Sequence, residues 1–212
     1  TLPDPAQPGK SFSPLLQNSL NLLFEWSSTW QLNISFSKCS ILCVSNVNAT
    51  PAARSYYINS IPLPQVSSCC DLGIIIDDKL SFSEHIAVRV RKAYSQSKLI
   101  SRCFLSRNPK LLKRAFTSYV RPLLEYATPI WSPHYLKYIT LIENVQRRFT
   151  KSIPNLRTLP YHCRLRLLDL DTLLLRRQQF DLFSCYRIFH SLTPLSSHSF
   201  FTLRPANANR GH

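Results

Sequence analysis

Leu72-Gly73-Ile74-Ile75-Ile76-Asp77, with Ser81-Phe82-Ser83-Glu84-His85-Ile86 close behind it, is where the chain changes character from strand to helix. The run from Cys70 to Asp77 is short, apolar and rich in isoleucine, and it reads as one strand. Gly73 lies within it and marks a bulge or a close backbone approach. From Ser83, a residue able to cap a helix, the period changes. Ile86, Val90, Ala93, Ser97, Ile100 and Phe104 recur at alternating steps of four and three. That spacing predicts a helix with one buried stripe, and it puts Arg91, Lys98 and Arg102 on the opposite face.

Upstream, Ser13-Pro14 is a helix start, with serine as N-cap and proline at the first helical position. Leu16, Leu20, Leu23 and Ser27 repeat at helical spacing, Trp26 and Trp30 share a face, and the helix is expected to end near Trp30. Ile41-Leu42-Cys43-Val44 is a short apolar strand, and Tyr56 to Leu63 reads as two short strands around Asn59-Ser60. Downstream, Asn108-Pro109 opens a helix through Leu112, Phe116 and Tyr119, which Pro122 should kink or end. A further helix spans about Tyr135 to Lys151. Ile139, Ile142, Val145 and Phe149 line its inner side, with Lys137, Arg147, Arg148 and Lys151 opposite. A loop follows over 153–161, and a last helical part runs from about His162 to His190, broken near Asp169–Asp171. Asp169, Arg176, Arg177 and Asp181 look like pairing partners between these terminal helices.

The charge is unevenly placed. Residues 1–82 hold four basic and five acidic residues, while residues 83–212 hold 22 basic and six acidic, within a chain of net charge +15. So few acids to pair with so many bases favours a polyanionic partner for the second part. A membrane is not expected, since no run approaches the roughly 20 apolar residues of a bilayer span. The first residue is Thr1 and no Met is present, so the chain reads as trimmed or as a piece of a longer reading frame. Seven cysteines, an odd number, read as reduced thiols of an intracellular protein, cytoplasmic or nuclear. Neither Cys39 and Cys43 nor the adjacent Cys69-Cys70 has the spacing of a zinc site, and no metal site is expected.

Two further segments follow the isoleucine strand in order. They are Ser118-Tyr119-Val120-Arg121-Pro122-Leu123-Leu124-Glu125-Tyr126-Ala127 with Trp131, and Val145-Gln146-Arg147-Arg148-Phe149-Thr150-Lys151. Over residues 15–190 the ordered set resembles the end of the palm and the thumb of reverse transcriptases of LINE-type, jockey-like non-LTR retrotransposons. The resemblance implies an α+β fold: a small antiparallel palm remnant with one packed helix, followed by an all-helical thumb and post-thumb region. The expected division is a flexible segment over 1–14, the palm end over 15–82, the thumb over 83–152, the post-thumb region over 153–192 and a disordered tail over 193–212.

The implied function is that of a fragment of an RNA-directed DNA polymerase. Its partners would be template–primer RNA and DNA, and the palm and fingers of the same polyprotein. Residues 70–77 would be the primer grip, a hairpin holding the primer end. Trp30-Gln31-Leu32-Asn33-Ile34-Ser35-Phe36-Ser37-Lys38-Cys39 is similar to the family's motif D, whose lysine sits near the leaving pyrophosphate. Lys38 is therefore the candidate catalytic residue, with Ser35 standing where asparagine is usual. Arg91, Lys98, Arg102, Lys137, Arg147, Arg148 and Lys151 are the candidate phosphate contacts, because an A-like hybrid is held chiefly by its backbone. Arg121, Pro122, Glu125 and the aromatic residues Tyr119, Tyr126 and Trp131 read as structural: Pro122 shaping the helix, Glu125 pairing a basic neighbour, the rings packing.

Asp77-Asp78 invites a two-metal reading. Yet Lys79-Leu80-Ser81-Phe82 leads into a helix where a polymerase hairpin would continue as a strand, and the pair reads as a solvated turn. The family's Ala-Asp-Asp box lies ahead of the Trp…Trp helix, and residues 1–14 hold just Asp4. No cofactor is thus expected in this chain, Mg²⁺ belonging to the complete polymerase, and the chain alone should be inactive. The other reading is a non-catalytic helical nucleic-acid-binding domain.

Overall fold

The structure, a computed structural model, describes residues 14–44 and 55–202. The readings of Ser13 as a cap, of a loose start and of the last ten residues of the tail fall outside these. The chain divides into two compact units, with the boundary between Phe82 and Ser83.

The first unit opens with helix α1, Pro14–Thr29. A 3₁₀ turn over Phe36–Lys38 leads to strand β1, Ile41–Leu42. Strands β2, Tyr57–Ile58, and β3, Ile61–Pro62, form an antiparallel hairpin. Its turn residues Asn59 and Ser60 have φ of 51° and 62°, the pair of left-handed conformations that matches the twist of a two-residue hairpin. Strand β4, Gln65–Val66, pairs with β1 in parallel, where an all-antiparallel remnant was expected.

The isoleucine stretch also departs from the reading of its residues. It is two strands: β5, Ser68–Asp71, and β6, Ile74–Asp77, paired antiparallel from Ser68↔Asp77 to Asp71↔Ile74. Gly73, at φ 80°, makes the turn with Leu72, at φ 45°. Glycine carries no Cβ and takes the left-handed region without penalty, so it reverses the chain here and does not bulge it.

Helix α1 packs beside β2, and one of its side chains bonds to the strand backbone. The Gln17 amide donates to the Tyr57 carbonyl at 2.8 Å and accepts from the Tyr57 N–H at 3.0 Å, taking both backbone groups of that residue. The apolar residues of α1 remain largely uncovered: Leu16, Leu23 and Trp26 are each about half exposed, Trp30 just beyond its end is more so, and Ser27 is its buried residue.

The second unit is helical. Helix α2, Ser83–Cys103, buries Ile86, Val90, Ala93, Ser97 and Ile100, five of the six residues of the expected stripe. Asn108 caps helix α3, Pro109–Ala115, its Oδ1 accepting from the Lys110 N–H at 2.9 Å. Pro122 does not end this rod. A π-helical segment, Phe116–Val120, intervenes before α4, Arg121–Glu125, and the Arg121 N–H reaches back five residues to the Phe116 carbonyl. Proline lacks an N–H, and its ring collides with the carbonyl four residues back. The wider turn just before it admits both defects without breaking the helix.

Helix α5, Thr128–Trp131, places Trp131 in the core, where its Nε1–H donates to the Tyr126 carbonyl at 2.8 Å. Tyr119 and Tyr126, expected to pack, are about half exposed. Helix α6, Leu136–Ser152, lies against α2, and Phe149 stacks on Phe116 with ring centroids 4.7 Å apart. Burying a side chain of this size contributes about 1.5–3 kcal/mol. Helices α7, Tyr161–Leu168, and α8, Leu173–Phe189, complete the unit. Asp169, at φ 48°, ends α7 and Thr172 caps α8, so the expected break is a helix stop followed by a helix start. Within the tail expected to be disordered, Ser197–Ser199 forms a 3₁₀ turn.

Three helices are tied by a buried polar cluster. Glu143 on α6 accepts from the Tyr161 hydroxyl on α7 and, at 2.9 Å, from the Leu173 N–H that opens α8. Gln146, fully buried, donates to the Tyr161 oxygen at 3.1 Å and to the Asp171 carbonyl at 2.8 Å. Burial, and then the bond to Glu143, raises the Tyr161 hydroxyl above the ordinary tyrosine range. Arg177 is buried, and burial lowers its pKa, a shift that the charges of Glu143 and Asp181 offset only in part. Arg176, expected to pair within the terminal helices, instead forks onto Glu125 of α4, with Nη2 to Oε2 at 3.1 Å, and Arg121 joins at 3.6 Å. Asp169 pairs with Lys113 on α3 at 3.1 Å.

Glu143→Ala should lower the unfolding free energy by about 2–4 kcal/mol, since it leaves the Tyr161 hydroxyl and the Leu173 N–H without their acceptor and removes a negative charge near Arg177. Tyr161→Phe should cost less, about 1–3 kcal/mol. Urea denaturation followed by circular dichroism measures both, and equal losses would contradict the shared role of Glu143.

His85 sets a pH response. It is buried against Trp131, centroids 5.1 Å apart, and burial, then the Arg89 charge, lowers its pKa to about 4. The unfolded chain takes up this proton as pH falls below about 6.5, while the folded chain does so near 4. The contribution of this group to stability is therefore full above about 6.5, declines from there to about 4 and changes no further below. The melting temperature of wild type should fall over that window more steeply than that of His85→Gln, and parallel curves would refute the assignment.

Candidate nucleic-acid interface

The structure sorts the candidate residues into four places. Lys38 is exposed at the end of its 3₁₀ turn in the first unit, and not on a strand. Arg91, Lys98 and Arg102 are all exposed on α2, opposite its buried stripe. Lys137 lies in the first turn of α6, with its ammonium 4.6 Å from the Tyr138 ring centroid and 5.8 Å from that of Tyr135. Arg147, Arg148 and Lys151 are exposed near the other end of α6.

Arg147 and Arg148 diverge, as consecutive helical residues must at about 100° apart. Arg147 lies over the Tyr161 ring of α7, 4.8 Å from its centroid. Arg164, itself buried, approaches the same ring at 5.4 Å. Arg148 turns the other way, onto Tyr94 of α2, at 5.3 Å. A guanidinium over an aromatic face gains about 0.5–1 kcal/mol at an exposed site, enough to bias its direction while leaving its N–H groups toward solvent.

That divergence builds a cleft. Between α2 and α6 lies a hollow of about 300 Å³ lined by Tyr94, Ser97, Lys98, Ser101, Arg102, Arg148, Phe149 and Ser152. Three of the seven expected phosphate contacts, Lys98, Arg102 and Arg148, thus share one site. Among the described residues no ion pair within 4 Å involves any of the three. The sequence reading missed Tyr94 and the serines. The signal was there in steps of four along α2: Tyr94, Lys98 and Arg102 form one column, and Ser97 and Ser101 the next. It also missed the cluster under Arg147, although Glu143 is the one acid in an otherwise basic helix.

The first unit offers different chemistry. The Asp77 carboxylate accepts from the backbone N–H groups of Lys79, Ser81 and Phe82 at 2.8–3.0 Å, and from the Ser81 hydroxyl at 3.0 Å. Burial would raise its pKa, but these bonds, led by those from Ser81, hold it below the ordinary value. The turn is therefore built on Asp77 and is more than solvated. A carboxylate spent in this way does not fit a pair of metal ions, and no group of three metal-ligating side chains occurs among the described residues. The seven cysteines are free thiols, and no described helix is long and apolar enough to cross a membrane.

Along the chain, a small sheet unit is followed by a helical unit with a basic cleft. No family model matches the chain, and no solved structure matches it. Among curated proteins it is similar to the probable RNA-directed DNA polymerase from transposon X-element of Drosophila melanogaster. The two are 29% identical over 134 residues, 61% of this chain and 14% of that protein. The probable RNA-directed DNA polymerase from transposon BS, of the same organism, is 26% identical over 153 residues, 70% of this chain and 16% of that protein. An uncharacterized Caenorhabditis elegans protein is 30% identical over 83 residues, 39% of this chain and 42% of that protein. The chain is thus a distant relative of transposon RNA-directed DNA polymerases, and it spans less than a fifth of the two it matches.

Asp77→Ala should open the turn. Amide exchange at Lys79, Ser81 and Phe82 should accelerate roughly tenfold or more, the equivalent of about 1–3 kcal/mol for unsatisfied donors. Hydrogen-exchange mass spectrometry reads it, and unchanged protection would remove Asp77 from its structural role.

Proposed function

We propose that this chain is the C-terminal part of the reverse transcriptase of a LINE-type, jockey-like non-LTR retrotransposon. In this reading its first unit is the end of the palm, and its helices from Ser83 are the thumb and post-thumb region. The role of the helical unit is to hold the template–primer RNA–DNA duplex by its phosphates. The observation that carries this reading is the convergence of cations from α2 and α6 on one cleft, in a chain similar to transposon polymerases. A hybrid duplex presents its backbone at regular intervals, and helix-borne cations suit that target better than base-reading side chains.

The rest of the polymerase would bring the fingers, the remaining palm and the aspartates that hold Mg²⁺. Lys38 would stand near the leaving pyrophosphate, and the β5–β6 hairpin would grip the primer. The protein would act inside the cell, in cytoplasm or nucleus, where template and target are found. A non-catalytic nucleic-acid-binding domain shares the same basic surface, and an upstream reading frame encoding the aspartate box would distinguish the polymerase piece from it.

The test is fluorescence anisotropy with a labelled RNA–DNA hybrid over a series of salt concentrations. Wild type should bind without sequence preference, with log K falling linearly in log[salt] at a slope of about −0.9 per phosphate contacted. Replacing Lys98, Arg102, Arg148 and Lys151 together by Gln should flatten that slope by about one unit for each phosphate these side chains hold between them, with circular dichroism unchanged. Primer extension with Mg²⁺ or Mn²⁺ should stay at background. A salt-independent or absent interaction would refute the reading.

A further inference from the structure

Lys98 and Arg102 stand one turn apart on α2, and Arg148 faces them from α6 across the cleft. Like charges at this spacing repel, and no acidic side chain lines the hollow to relieve them. The crowding is local. A second cleft along the same helix, lined by Gln96, Leu99, Ile100, Cys103, Phe104 and Tyr119, carries no charge at all. We infer that the α2–α6 cleft is a binding site for a single phosphate group, seated between Lys98, Arg102 and Arg148.

The remaining lining says why the ligand is a phosphate and not a base. Stacking a nucleobase requires a free aromatic face. Phe149 is buried and already stacked on Phe116, and the Tyr94 ring is covered by Arg148. Tyr94 acts instead as a positioning residue, holding the guanidinium toward the cleft. Two of the three serine hydroxyls give space and not donors: Ser101 donates to the Ser97 carbonyl at 3.1 Å and Ser152 to the Phe149 carbonyl at 2.7 Å. Small side chains there keep the hollow open, and the three cations supply the N–H groups. A guanidinium fork suits two oxygens of one tetrahedral anion, and an ammonium acts as a point charge on a third.

This inference deepens the proposed duplex binding, and it rests on that reading for the source of the phosphate, a diester of the bound strand. Free inorganic phosphate offers the same chemistry, so the experiment carries two arms. Ser101→Leu fills the cleft without changing any charge, and Arg102→Gln removes one ligand while leaving the space. Both are made in the full chain, with circular dichroism as folding control. The first arm is the hybrid-binding salt series. Each variant should reduce the slope by about one unit. The second arm is thermal melting in inorganic phosphate at fixed ionic strength. Wild type should gain several degrees at tens of millimolar, and each variant should lose that gain.

Loss of the phosphate-dependent gain with an unchanged hybrid slope keeps the site and assigns it to free phosphate. Failure of wild type to bind hybrid removes the duplex reading, and the phosphate arm alone then decides the cleft. Folded Ser101→Leu and Arg102→Gln proteins that match wild type in both arms overturn the inference and leave the cations as general basic surface. Should Ser101→Leu not fold, Arg102→Gln in the same two arms decides between these outcomes.

Discussion

The helical unit depends on one buried carboxylate. Glu143 sits in the middle of α6, out of water, and accepts from the Tyr161 hydroxyl and from the N–H that opens α8. The first N–H groups of a helix have no partner within it, and the dipole there favours negative charge. A carboxylate at that place satisfies both requirements and fixes where α8 begins. With Gln146 one turn on, bonded to the Asp171 carbonyl, the same face of α6 fixes α7, the connecting turn and α8 together. Once that face is committed inward, the helical period leaves Arg148 and Lys151 outward, and Arg147 toward Tyr161. The basic surface therefore follows from the buried acid beneath it.

Much of this was legible where the chain obeys simple periodicities. The α2 stripe, the Asn108 cap and the break at Asp169–Asp171 each follow from local rules that tertiary contacts reinforce. The places where the reading failed have physical reasons. Gly73 can bulge a strand or reverse it, and the sequence does not separate the two, because Leu72 is an unusual occupant of the first turn position. Pro122 ends a helix only when the lost bond cannot be absorbed, and a π-helical turn absorbs it. The parallel pairing of β1 with β4 joins strands that have a whole hairpin between them in the chain, beyond the reach of local pattern. The cations of the candidate site were individually visible. Their grouping was not, since it depends on which aromatic ring each guanidinium meets.

The two units differ in kind. In the first, short two-stranded ladders are joined by turns with positive φ at non-glycine residues, and helix α1 keeps leucines and Trp26 in water. Its order is carried by specific polar bonds, such as Gln17 on Tyr57 and Asp77 on its turn. The second unit buries Trp131, Phe116 and the aliphatic residues along its helices, so its order is carried by area removed from water. A unit held by a few directed bonds loses order piecemeal, while one held by burial loses it together.

The π-helical segment has a consequence for the length of the chain itself. Its wide turn holds one residue more than a regular helix of the same reach, so the residues after Val120 keep the faces they would have without the surplus. Deleting a residue from 117–120 would let the Arg121 N–H meet the Phe116 carbonyl across an ordinary four-residue turn and leave Arg121 and Glu125 facing as before. The cost would fall on Pro122, whose ring would then meet the carbonyl four residues back in a regular helix. Deleting a residue between Pro122 and Glu125, by contrast, would turn Glu125 by about 100° away from Arg176. Sequences sharing this architecture should therefore gain or lose the surplus residue and the proline together.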